Sequence, residues 1–180
     1  MSRTNSAPLL QLSSRLAAAA AWLCAAACSA HVEVPNITLV EPNVAFSSDY
    51  MFGGKLTSRF DHPDDITFPE YMSGAVNVTA ARLSAQQGVD DLAFIRRLDV
   101  VLHVEPPGVL APVLLARYER AAEEPTVVLH FDPDSTANVL EHWRAGAAYY
   151  EILLEADSMP VGEWFAEVAV EFSGNMDVKP

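Results

Sequence analysis

From Glu163 to Phe172 the chain alternates with a period of two. Trp164, Ala166, Val168, Val170 and Phe172 fall on one side, and Glu163, Glu167 and Glu171 fall on the other among Phe165 and Ala169. The three glutamates also lie four apart, as on a helix, but a helix would scatter the five apolar residues around its circumference. Val and aromatic residues also favour the pleated surface, so the segment reads as a strand with one buried face.

The same signature recurs. Leu98, Val100, Leu102 and Val104 form an inward row opposed by Arg97, Asp99, His103 and Glu105, and Pro106-Pro107-Gly108 ends it. Tyr150, Ile152 and Leu154 form a third row, Val127, Leu129 and Phe131 a fourth, and Leu114, Ala116 and Tyr118 a fifth after Pro112. Weaker candidates are Val32 to Val40, broken by Pro35, then Ile66 to Phe68, and Val76 to Leu83. About 7–9 strands separated by Pro, Gly and Asp clusters predict an all-β chain, an antiparallel β-sandwich.

One short helix is expected to cross one end. Asp134-Ser135-Thr136 supplies capping side chains before Ala137 to Ala145, and Gly146 stands where the helix would stop. Val139, Leu140 and Trp143 share one face and should tuck Trp143 under the sandwich. The turn Asp90 to Ile95 should plug an edge with Leu92 and Ile95. Residues 42 to 63, which include Gly53-Gly54 and His62-Pro63, lack periodicity and predict a long irregular loop.

The N-terminus predicts export. Arg3 and Arg15 precede an uncharged apolar run from Leu16 to Ala27, 12 residues long. A membrane-spanning helix needs about 20, so the run suits a cleaved secretory leader. Ala25, Ala26 and Ala27 lead into Cys28 and resemble the lipobox of bacterial lipoproteins, in which the cysteine becomes the acylated N-terminus; the family usually has Leu where this chain has Ala25. Cys24 fits less well, after Trp22 and Leu23. Ordinary secretory cleavage near Ala30 is the other option. The expected division is therefore a leader at 1–27 and one domain at 28–180, with 28–31 as a short tether. On either route no disulfide is expected, because Cys24 and Cys28 are the only cysteines.

Charge narrows the partners. The chain carries 24 acidic against 11 basic side chains, a formal charge of −13. Losing the leader removes two arginines and no acid. Nucleic acid is excluded as a partner, since Arg96-Arg97 is the only adjacent basic pair. An acidic body is repelled by anionic membranes, which gives an acyl anchor a purpose.

A broader resemblance rests on Asp91 to Ile95 feeding Leu98-Asp99-Val100, on Val113 to Tyr118, on the Val139 to Trp143 turn, and on the Phe165 to Phe172 strand. Together these look like a loose group of bacterial secreted β-sandwich lipoproteins, over roughly residues 30 to 180. The resemblance implies a fold and no activity for named residues; Ser29 after Cys28, rather than Asp, resembles lipoproteins sorted to the outer membrane of a cell envelope.

Catalytic signatures are absent from the sequence. It has no G-x-S-x-G elbow, phosphate loop or H-E-x-x-H motif, so no catalytic residue and no cofactor is assigned. His31, His62, His103, His130 and His142 are scattered, and each reads as a solvated strand or loop residue. Asp61, Asp64 and Asp65, with Asp132 and Asp134, fall in turns and are weak calcium candidates; a helix cap at Asp134 and a proline turn at Asp61 to Asp65 are the stronger reading. The leading expectation is a non-catalytic, lipid-anchored envelope protein in a binding or structural accessory role. A calcium-dependent adhesion or carbohydrate-binding module, and a hydrolase with an unrecognised acid pair, are the alternatives.

Overall fold

The computed structural model describes residues 30–47, 55–63, 66, 68–107, 110–121, 125–145, 147–158 and 160–178. The leader with Cys24 and Cys28, and also Asp64, Asp65, Gly53-Gly54, Gly108 and Gly146, lie outside them. Among the described residues eight strands form: β1 (Ala30–Ser47), β2 (Lys55–Asp61), β3 (Met72–Gln87), β4 (Ile95–Val104), β5 (Val113–Glu119), β6 (Val128–Pro133), β7 (Ala148–Ala156) and β8 (Glu163–Val178), with one helix, α1 (Leu140–Arg144). The fold is all-β, as the alternation requires.

All strand pairs are antiparallel, in the order β1-β8-β3-β6-β5-β4-β7-β2. The single sheet curls into two layers, because β5 and β6 pair at only two positions, Ala116 with Pro133 and Arg117 with Asp132. Its two edges approach each other, and the Ser58 hydroxyl on β2 donates to the carbonyl of Ala45 on β1 at 3.0 Å. Closing the edges this way limits pairing with other chains.

The inward rows meet between the layers. Trp164, Ala166, Val168, Val170 and Phe172 face Leu98, Val100 and Leu102 and the row Tyr150, Ile152 and Leu154, all of them buried. Burying each large apolar side chain is worth about 1.5–3 kcal/mol, so these rows dominate the stabilising side of folding. Leu92 and Ile95 are fully buried, as plugs should be.

Several local expectations need correction. Residues 42 to 63 are not one long loop, since β1 runs on to Ser47 and β2 occupies Lys55–Asp61. Register shifts between Val34 and Ile37 and between Glu41 and Val44 break the alternation of β1 around its two prolines. Proline is tolerated there because β1 is an edge strand and is bulged. Ile66 and Phe68 are not in a strand; they pack on the core from an irregular segment.

In β5 a bulge opposite Val100 and Val101 buries Leu115 beside Ala116, so Leu114 and Tyr118 are only half-buried. Val127 precedes β6 and is exposed, leaving Leu129 and Phe131 as the inward pair.

The helix is shorter than the capping pattern implied. Asp134 accepts from the Thr136 amide and hydroxyl and closes a turn, whereas Asn138 Oδ1 accepts from the Leu140 amide just before α1. The expected cap chemistry is therefore spent one turn too early. Trp143 is buried, as anticipated.

Candidate functional site

β3 extends beyond β6, so its first half has a partner on one side only, β8. The turn before α1 docks on the open edge. Val139 N donates to Val76 O at 2.9 Å, Val76 N donates to Asn138 Oδ1 at 3.1 Å, and Asn138 Nδ2 donates to Gly74 O at 3.2 Å. Asn77 Nδ2 donates to Ser135 O at 3.0 Å. These bonds satisfy backbone groups that an open edge would leave exposed, and they raise Ser135 beside the outer face of β3.

On the other side of β8, the β1 bulge carries Pro35 and Asn36. Between these two walls lies a cleft of about 670 Å³, lined among others by Asn36, Asn77, Ser135, Ser173, Gly174 and Asn175. Glycine at 174 is forced: a Cβ there would lie 2.1 Å from Ala75 O, and at Gly74, where φ is +147°, 2.2 Å from Asn175 O. The two strands approach so closely because neither carries a side chain at these positions. Among the described lining residues Glu33 is the only ionisable group.

The outer face of the second layer is different. Burial opposes ionisation of Asp99, but hydrogen bonds from Arg117 and Arg97, together with their charges, hold its carboxyl below the ordinary range. Hydrogen bonds from Lys55 and Arg96 likewise lower Glu155. Arg59 pairs with Glu105 at 2.9 Å and lies 3.8 Å over the Tyr149 ring, which stacks on His103. This face is consumed by its own ion pairs.

A third cluster closes one end. Trp143 Nε1 donates to the Tyr150 hydroxyl at 3.0 Å, and His62 Nδ1 lies 2.9 Å from that oxygen. Burial pushes the Tyr150 phenol well above its usual range. Phe60 stacks on Tyr150, and Phe68 stacks on Trp143. The cluster packs the end of the sandwich. Trp143 and Trp164 are core residues and offer no exposed platform.

Not every histidine is solvated: His142 is buried, with Nε2 2.9 Å from Ala111 O, and His62 is half-buried in the aromatic cluster. The three candidate aspartates among the described residues do not gather. Asp61 bonds Arg59, Asp132 sits opposite Arg117, and Asp134 is held by Thr136. Asp61 lies on β2, four places along the sheet from the β6 residue Asp132. Among the described residues no three His, Cys, Asp or Glu side chains form a group that could hold a metal ion. A second, smaller cleft of about 220 Å³ contains one acid, Glu171, beside Arg82 and His130.

Sequence reasoning missed the polar cleft, whose residues look like ordinary strand and turn residues. The available signal was the run of uncharged polar side chains Asn36, Asn77, Thr79, Ser173 and Asn175 in a chain otherwise rich in acids.

No protein-family model matches the chain, and no curated protein matches it. Among solved structures it is similar to one described as "Structural basis for the promiscuous specificity of the carbohydrate-binding modules from the beta-sandwich super family", with a TM-score of 0.31 and 9% identity. The match covers 80% of this chain and 55% of that one, so the chain spans little more than half the length of the protein it matches.

Proposed function

We propose that the chain is an exported, lipid-anchored β-sandwich of the bacterial cell envelope that binds rather than catalyses. The observation that carries the binding role is the cleft between the β1 bulge and the docked turn, which is walled by uncharged hydrogen-bonding side chains and contains one acid, Glu33. A glycoside-hydrolysing site needs two carboxylates facing one cleft. Each of the two clefts described has one, which weighs against the hydrolase reading. Among the described residues, the dispersal of Asp61, Asp132 and Asp134 likewise weighs against calcium-dependent adhesion.

The anchor rests on the sequence: a short apolar leader, three alanines and Cys28. No helix among the described residues is long and apolar enough to cross a membrane. The sheet begins at Ala30, two positions after Cys28, where Ala30 pairs with Val178. Acylation of Cys28 would hold this end of the sandwich against the bilayer.

Labelling with a palmitate analogue in a bacterial host tests the anchor. The wild-type chain should incorporate label and sediment with membranes, and Cys28→Ala should do neither. Equal labelling of both proteins would remove the lipid from the account.

A further inference from the structure

The geometry points to the cleft across β1, β8 and β3 as a site for an uncharged, hydroxyl-rich chain, an oligosaccharide. The inference rests on the binding role proposed above and names its ligand class. Its basis is the contrast between the two outer faces. In a chain with 24 acids, the β2-β7-β4-β5 face neutralises its charges internally, with Asp99 held by two arginines and Glu155 held by Lys55 and Arg96. The cleft presents amides and hydroxyls instead.

Those groups also have capacity to spare. Among the described residues the side chains of Asn36, Ser173 and Asn175 make no hydrogen bond within the protein, whereas Asn77 is fixed by Ser135 O and Ala137 O. An amide offers two donors and an acceptor, and a hydroxyl offers one donor and an acceptor. Sugar hydroxyls, which donate and accept, match that set. A cleft of about 670 Å³ falls within the usual range for ligand sites.

Other ligand classes fit less well. An anionic chain would meet Glu33 with no Lys or Arg among the described lining residues, and a polycation would find one carboxylate. An apolar ligand would desolvate the amides without pairing them. Because no aromatic ring stands among the described lining residues, hydrogen bonds rather than ring stacking would carry the affinity.

The test uses the full chain, purified in detergent and titrated with labelled neutral hexasaccharides of glucose, mannose and N-acetylglucosamine. Hexagalacturonate and hexalysine serve as the charged probes. At least one neutral probe should bind better than either charged one. Asn36→Ala combined with Asn175→Ala should weaken that binding by roughly tenfold, and Arg59→Ala, on the opposite face, should leave it unchanged. Both asparagines are exposed, so the double variant should melt with the wild type; should it not fold, Ser135→Ala on the docked turn is the replacement. Absence of neutral binding, preference for a charged probe, or full binding by the cleft variants would overturn the inference. Preference for a charged probe that the cleft variants abolish would overturn the ligand class and keep the binding role, whereas binding of no probe at all would overturn both, so the two failures are distinguishable.

Discussion

Replacing Trp164 with alanine should lower the unfolding free energy by about 3–5 kcal/mol, measured by urea denaturation. Trp164 is fully buried at the start of β8, stacked on Phe46 with ring centroids 4.4 Å apart and met edge-on by Phe94 at 5.4 Å. Those three rings join β1, β8 and the segment entering β4, so truncation opens a cavity where the two layers meet. Trp164→Phe should cost far less. Among the described residues the Trp164 indole Nε1 is buried without a hydrogen-bond partner, so phenylalanine removes an unsatisfied donor while keeping a ring. Val161→Ala, at a fully exposed position, should stay within about 0.5 kcal/mol of wild type. A Trp164→Ala protein as stable as the wild type would mean that the inward row of β8 is not the core.

Alanine at Gly74 or Gly174 should destabilise by about 1–3 kcal/mol, or more. In both cases the new methyl would collide with backbone, which cannot swing away like the end of a side chain. Gly74→Ala should be the worse of the two, because its φ of +147° also disfavours a side chain. Gly162→Ala is the natural comparison. It too has a positive φ, of +94°, but an added Cβ there meets nothing within 4 Å. It should therefore be milder than Gly74→Ala. Thermal melts of the three variants give the order directly, and equal melting points would show that β3 and β8 are not in close approach.

The strands were legible wherever alternation ran unbroken. β8, β4 and β7 each keep one face apolar, and Trp164, Leu98 and Tyr150 with their partners are buried as the pattern demands. Legibility failed where a bulge inserts a residue, because one extra position exchanges the two faces. That is why Leu115 was missed in β5, and why β1 around Pro35 and Pro42 looked broken or loop-like. β2 was lost for another reason: Ser58 stands between Leu56 and Phe60, so its inward row is too weak to recognise. The helix start was misplaced because Asp134 closes a turn with Thr136 instead of capping, and α1 begins only after Val139, which makes no side-chain cap hydrogen bond.

The cleft was illegible for a topological reason. Asn36, Asn77, Ser135 and Asn175 are far apart in sequence, and no local rule brings them together. They meet because β8 pairs with β1 on one side and β3 on the other, while the turn before α1 closes the open edge of β3. The acidic turns show the opposite error. Asp61, Asp132 and Asp134 stand out in sequence, yet Asp61 bonds Arg59, Asp134 is held by Thr136, and Asp132 stands on β6 with Arg117 only as its register partner.

β1, β8 and β3 lie side by side and form the floor of the cleft. Backbone NMR tests it most directly, through cross-strand NOEs from Gly174 to Val34 on one side and to Val76 on the other. Both contacts are expected, with extended-strand chemical shifts throughout Glu163 to Val178. Helical shifts in that segment, or a Gly174 that contacts neither strand, would contradict it.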